Sequence, residues 1–161
     1  MKAIVAVDER WGIGQGGALL CPLSADLRRF KALTMGHPVI LGRKTLSTFP
    51  GGRPLPGRRN LILSRDPAFQ PAGAEVFSSR EALLAAAPDD SVVIGGESIY
   101  KLLLDVCGTV WVTRIFRTFE ADAWFPDLDA DPAWTAAEAE PPLEEGGVRF
   151  QYVTYTRRAG G

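Results

Sequence analysis

The sequence predicts an α/β fold: one domain over residues 1–161, with a mainly parallel sheet, helices between its strands and an antiparallel C-terminal edge. Three observations carry that expectation. Short continuous apolar runs recur and end at glycines or turn residues, the pattern of strands covered on both faces. Helical stretches fall between those runs, and strands alternating with helices favour parallel pairing. The final run, VRFQYVTYT at 148–156, alternates instead, as an antiparallel edge strand does.

The elements follow in order. AIVAV at 3–7 is a buried strand, and a glycine-bearing loop runs from Asp8 to Leu23. A helix covers about 24–34, with Ser24 placed to cap it. Leu23, Leu27 and Phe30 fall at i, i+4 and i+7, an apolar helical stripe, and Asp26 stands inside that stripe. A carboxylate on a buried face asks for a partner.

PVIL at 38–41 is a second strand, ending at Gly42-Arg43-Lys44-Thr45, where a short helix opens. TFPGGRPLPG at 48–57 is turn chemistry throughout. LIL at 61–63 is a third strand, closing on Ser64-Arg65. A helix is expected over 79–87, a strand over 91–94, a helix over 97–104 directly after Gly95-Gly96, and a strand over 109–115.

Composition narrows the function. Hydrophobic residues make up 46% and charged residues 23%, ordinary for a globular chain, and no apolar run approaches a membrane span of about 18 residues. The apolar stretch at the start is too short for a signal peptide. Cys21 and Cys107 form no CxxC pair and no metal spacing, so a reduced, cytoplasmic protein is expected, with secretion behind one disulfide as the alternative. His37, the only histidine, lies between Gly36 and Pro38 with no cysteine or acid at ligand spacing; it reads as a turn residue, which argues against a His-based metal site or a Ser-His-Asp triad.

The net charge of −1 conceals segregation. Residues 43–65 hold Arg43, Lys44, Arg53, Arg58, Arg59 and Arg65 and no acid, whereas residues 119–145 hold nine acids and no Lys or Arg. These bases are interleaved with turn residues and strand ends. They are too few for a nucleic-acid footprint and suit a small ligand bearing several negative groups.

Three strand ends offer phosphate-type donors. VVIGGESIY at 92–100 takes a buried strand through two glycines into a helix, where backbone amides can approach a phosphate closely. GRKT at 42–45 repeats that geometry with two bases, and LSR at 63–65 adds a hydroxyl and a third. Gly12, Gly14 and Gly17 match G-x-G-x-x-G only formally, because the next helix starts seven residues later. Where an acid would hold a ribose, Arg43-Lys44 stands instead, which suits a 2′-phosphate. A phosphorylated dinucleotide at the carboxyl edge of the sheet is expected.

Taken together, IVAVDERWGIG (4–14), SADLRRFK (24–31), PVILGRKT (38–45), RPLPGRRNLILSR (53–65), VIGGESIY (93–100), VTRI (112–115) and EADAWFP (120–126) resemble the dihydrofolate reductase family from end to end. The resemblance implies an eight-stranded twisted sheet with flanking helices and the NADPH-dependent reduction of 7,8-dihydrofolate to tetrahydrofolate, with no metal. It implies that Asp26 is the family's one active-site carboxylate, hydrogen-bonding the pterin ring and supported by Thr113. Ile4, Val5, Leu27, Phe30 and Phe49 would line the folate pocket, as would Leu55, Ile94 and Tyr100. Arg58 would grip the α-carboxylate of the glutamate tail.

The same resemblance puts Ala6, Ile13 and Gly14 against the nicotinamide. Gly42, Lys44 and Thr45 would hold the pyrophosphate together with Ile94, Gly95, Gly96, Glu97, Ser98 and Ile99, and the Gly95–Gly96 peptide is expected to be cis. Arg43, Leu63, Ser64 and Arg65 would form the 2′-phosphate end. One departure stands out: where the family usually reads Leu-Pro-Trp, this chain has Leu19-Leu20-Cys21. The family's tryptophan helps fix a water beside the carboxylate, and a thiol does not replace an indole donor.

Two other readings remain at this point. One is a pyrimidine reductase of the riboflavin-biosynthesis type, which has no need of Asp26 and Arg58 together. The other is a catalytically silent nucleotide-binding module. A monomer is expected, with small molecules as ligands and neither nucleic acid nor membrane as a partner.

Overall fold

The apolar runs become the inner strands of one sheet. A computed structural model describes residues 1–158. β1 (Lys2–Val7) pairs in parallel with two strands, β7 (Val92–Gly95) on one side and β8 (Thr109–Ile115) on the other. Beyond β7 the sheet continues in parallel through β4 (Val39–Gly42), β5 (Asn60–Leu63) and β6 (Ala74–Phe77). Beyond β8 it turns antiparallel, through β12 (Val148–Arg157) to β10 (Trp134–Ala139), and the short β11 (Leu143–Glu145) also pairs with β12. The spatial order is β10-β12-β8-β1-β7-β4-β5-β6.

Val7, Val39, Ile40, Leu41, Leu61 and Ile62 are fully buried, as residues of strands covered on both faces must be. The cover comes from α1 (Ser24–Thr34), α2 (Arg43–Ser47), α3 (Arg80–Ala86) and α4 (Glu97–Leu103). Ser79 caps α3 by accepting the Ala82 N–H. A second, three-stranded sheet joins β2 (Gly12–Gln15) to β3 (Ala18–Leu19) and β9 (Ala123–Trp124), in order β3-β2-β9. The expected α/β architecture is therefore present: eight strands lie along the main path, with β11 beside them among the described residues.

Several expectations are corrected. The C-terminal strand is not an edge strand, because β10 pairs along its outer side; its residues Val153 and Tyr155 face the main core. Ser24 does not cap α1. Leu23 occupies the cap position, with no side-chain cap bond, and Ser24 is the first helical residue. The loop from Asp8 to Leu23 contains two short strands, and β6, β9, β10 and β11 fall in stretches where no element was expected.

Candidate active site

Leu23 sets the start of α1. It is buried with Ile115, Phe150 and Tyr152, and this anchor places the first helical turn against the carboxyl half of β8. Leu27, one turn on, is 50% exposed. The apolar stripe thus begins in the core and opens to solvent, and Asp26 lies at that transition. Thr113, a buried residue of β8, donates its hydroxyl to Asp26 Oδ1 at 2.5 Å.

Loss of water around the Asp26 carboxylate raises its pKa above the ordinary 3.8, against the Thr113 hydrogen bond and the Arg29 charge, which pull it down; the negative charge of Glu145 adds to the rise. Arg29 lies one turn along the helix, its guanidinium 4.0 Å from the centre of the Tyr152 ring.

Ile4 and Val5 are buried in β1, and Tyr100 donates its hydroxyl to the Ile4 carbonyl at 2.6 Å. Burial pushes the Tyr100 phenol well above its usual range, so it stays a donor. Phe49, Leu55 and Ile94 are half-buried on a cluster of Val39, Leu41, Leu46 and Ile62. Phe30 is also half-buried, and its carbonyl accepts the Thr34 hydroxyl at 2.7 Å.

Thr34 in turn accepts a hydrogen bond from Arg58 Nη1 at 3.0 Å, and Arg58 Nε donates to the Pro56 carbonyl at 3.0 Å. Arg58 has no acid within ion-pair distance among the described residues. Its charge is oriented but not neutralised.

Asn60 builds this corner, and the sequence reading missed it. Its buried amide donates to the carbonyls of Leu55 (3.0 Å) and Arg58 (2.9 Å) and accepts the Leu55 N–H (3.0 Å). The only sequence signal is an Asn placed just before an apolar run.

On the other side of β1, the β4–β7 ladder is irregular. Ile40 pairs with Val93 and Leu41 with Gly95, so Ile94 is an extra residue, a bulge at the carboxyl end of β7. There the Gly95–Gly96 peptide is cis, as expected, and Gly95 has φ +129°, a conformation that excludes side chains. A Cβ on Gly42 would meet Ile99 at 3.0 Å, and one on Gly96 would meet the Thr45 hydroxyl at 3.4 Å. Gly42, Thr45, Gly95, Gly96, Glu97, Ser98 and Ile99 are thereby gathered at one sheet end.

Ala6 and Ile13 are half-buried on the adjoining side, and Gly14 pairs with Leu19 and Ala123 in the small sheet. Two acids tie that sheet down. Asp8, 1% exposed, accepts the N–H groups of Arg10, Gly12 and Phe119, while Glu97 accepts the Trp124 N–H at 2.7 Å.

The basic rim is more selective than its sequence suggests. Arg43 pairs with Asp66 at 2.8 Å and lies over Phe69, and Arg59 pairs with Glu75. Lys44 and Arg65 have no ion-pair partner among the described residues, and Ser64 and Leu63 border them at the end of β5. These residues fit a phosphorylated dinucleotide: a glycine strand end that runs into a helix start, with cations free of acid partners beside it. Cys21 and Cys107 are free thiols, with Cys21 half-buried on the Leu23 cluster.

Hollows in the surface of the described residues border parts of this region. One, of about 410 Å³, reaches the site only at Arg58, and one of about 450 Å³ lies between Asp8, Gln15 and the 119–124 loop. Asp26 lines neither of them. No described helix is long and apolar enough to cross a membrane.

A desolvated acid at the start of α1, and a glycine-rich sheet end with unpaired cations near it, form the constellation expected of a nicotinamide-dependent oxidoreductase. The family model described as dihydrofolate reductase matches residues 1–157. A dihydrofolate reductase of Neisseria meningitidis serogroup B is 38% identical over 156 residues, covering 96% of each chain. One of Mycobacterium leprae is 40% identical over 151 residues, covering 90% of each. A solved structure, dihydrofolate reductase from Enterococcus faecalis complexed with NADP(H) and RAB-propyl, superposes with a TM-score of 0.87 at 35% identity, covering 97% of this chain and 95% of that one. The chain belongs to the dihydrofolate reductase family. The activity of that family is the NADPH-dependent reduction of dihydrofolate, and neither competing reading is favoured.

Proposed function

We propose that this chain reduces 7,8-dihydrofolate with Asp26 as its one catalytic side chain. The observation that carries this reading is the desolvated Asp26 carboxyl, held by Thr113 where the α1 stripe opens to solvent. Bound NADPH supplies a hydride from its nicotinamide C4 to C6 of the pterin. Asp26 hydrogen-bonds the pterin ring and favours protonation at N5, a task suited to an acid that keeps its proton to a higher pH than a free carboxyl does.

Ile4, Val5, Leu27, Phe30, Phe49, Leu55, Ile94 and Tyr100 surround the substrate and exclude water. Arg58, aimed by Thr34 and Pro56, takes the α-carboxylate of the glutamate tail. Ala6, Ile13 and Gly14 contact the nicotinamide. Gly42, Lys44, Thr45 and residues 94–99 hold the pyrophosphate. Ser64 and Arg65 hold the 2′-phosphate, with Leu63 beside them and Arg43 joining only by giving up Asp66. The protein is proposed to act as a cytoplasmic monomer of one domain whose ligands are small molecules, with no nucleic-acid or membrane partner.

The test is consumption of NADPH, followed by the cofactor's absorbance, when dihydrofolate is added to the purified protein. Consumption that requires dihydrofolate is the expected result. Consumption with a ribityl-phosphate pyrimidine and none with dihydrofolate would overturn the reading, as would none with either.

A further inference from the structure

We propose that Glu145 is a positioning residue for the reaction: from the β11–β12 hairpin its carboxylate clamps the first turn of α1 and so fixes the Asp26 carboxyl. The inference rests on the reading of Asp26 given above. A helix start leaves backbone N–H groups without partners, and in α1 the residue at the cap position is Leu23, whose side chain has no acceptor. The acceptors come from far along the chain. Glu145 Oε2 accepts the Ser24 N–H at 2.7 Å, and Oε1 accepts the Ala25 N–H at 2.9 Å. Both oxygens are engaged, and a carboxylate at that end also suits the helix dipole. The two amides hold Glu145 below its ordinary 4.5, so it is charged throughout the neutral range.

The clamp is mounted on a tight hairpin. Glu145 pairs with Val148 across a Gly146-Gly147 turn in which both glycines have positive φ (57° and 79°). Val148 and Phe150 are buried with Leu23 and Ile115, so the hairpin base and the helix start share one core cluster. Asp26 is the next residue after Ala25. It is therefore held from two directions, through the helix turn by Glu145 and directly by Thr113 of β8.

Glu145 also acts on Asp26 through space. The groups facing Asp26 are Thr113 on β8, Arg29 on its own helix, Tyr152 on β12, Tyr100 on α4 and Glu145 on β11. Arg29 favours the ionised carboxylate and Glu145 the protonated acid, while Arg28 is the charge that offsets Glu145 itself. A neutral cap in the same place would hold the helix but not the protonation equilibrium.

The experiment compares wild type with Glu145→Gln and Glu145→Ala, and uses three readouts. In Glu145→Ala the Ser24 and Ala25 amides should exchange hydrogen roughly 2- to 30-fold faster, the range for a lost helix cap. Both variants remove the charge, so the Asp26 carboxyl, followed by carbon NMR, should titrate at lower pH than in wild type. Single-turnover hydride transfer should then slow by roughly 1.5- to 5-fold more at about pH 8 than at about pH 5, the factor expected of one screened charge.

Faster exchange with an unmoved Asp26 titration and an unmoved pH profile would show a merely structural cap and overturn the proposal. Unchanged exchange at both amides would overturn it as well. The Asp26→Asn variant separates the two readings: normal hydride transfer in that protein removes the catalytic role of Asp26, whereas the exchange and titration results bear on Glu145 alone.

Discussion

Asp26 costs the fold something that its chemistry requires. Its pKa is raised by desolvation in the folded state, so between the ordinary 3.8 and that raised value the folded protein binds more protons than the unfolded chain. Stability from this group is present at low pH and is lost as pH rises through the folded pKa. Asp26→Asn keeps an acceptor for the Thr113 hydroxyl and removes the charge. The variant should melt above wild type at neutral pH, with the difference shrinking as pH falls toward 4, which thermal melts at several pH values would show. A lower melting temperature at neutral pH would mean that the carboxylate stabilises the fold. Arg58 makes a second case at this scale. Arg58→Lys loses the planar fork, so the Michaelis constant for dihydrofolate should rise by roughly 10-fold or more while that for NADPH stays close to wild type. Steady-state kinetics with each ligand varied in turn decides it. Asp26 was legible in the sequence because an acid interrupts an apolar stripe. Glu145 and Asn60 were not, since one acts 120 residues from its partner and the other through backbone carbonyls that no residue pattern encodes.

The elements were legible to the extent that burial was uniform. β1, β4, β5 and β7 are built on continuous apolar runs and β8 on a run broken only by Thr and Arg, and their predicted ends lie within one residue of those found. β6, β9, β10 and β11 are short or largely exposed, and sequences such as AEVF or WTAAEA carry no apolar periodicity to find them by. The C-terminal strand's type was readable but its place in the sheet was not, because β10 pairs with it through exposed residues. The segment joining α2 to β5 shows how a loop without periodicity is nonetheless fixed. Asn60→Ala would strand the Leu55 N–H and the carbonyls of Leu55 and Arg58, destabilising the protein by about 1–3 kcal/mol. The same change would loosen the corner that aims Arg58. Urea unfolding and the Michaelis constant for dihydrofolate should therefore change together; a stability loss with unaltered dihydrofolate kinetics would separate Asn60 from the substrate.

At the scale of the molecule, charge is sorted onto opposite needs. The acidic stretch supplies internal ties, with Asp122 holding the Gly16 N–H, Asp129 pairing with Arg114 and Tyr155, and Glu145 clamping α1. The basic stretch is partly neutralised by Asp66 and Glu75, which leaves Lys44, Arg53, Arg58 and Arg65 without an acid at ion-pair distance among the described residues. Sequence alone gave Arg43 and Arg65 equal standing at the 2′-phosphate. The Arg43–Asp66 pair makes them unequal, so Arg65→Ala should raise the Michaelis constant for NADPH by roughly 10- to 150-fold, the range for a lost charge-assisted hydrogen bond, with little change for NADH. Arg43→Ala should do less, and equal effects of the two variants would show that Arg43 leaves Asp66 when the cofactor binds.

Whether the Asp26 carboxyl drives protonation of the substrate is tested most directly by single-turnover hydride transfer from about pH 5 to about pH 8. Wild type and Asp26→Asn would be loaded with NADPH, mixed with dihydrofolate, and followed without interference from product release. At neutral pH the variant should be slower by roughly 10²- to 10⁴-fold, the range for a lost acid–base group, and should recover as pH falls and dihydrofolate takes its proton from solution. Hydride transfer in Asp26→Asn at the wild-type rate at neutral pH would contradict the account.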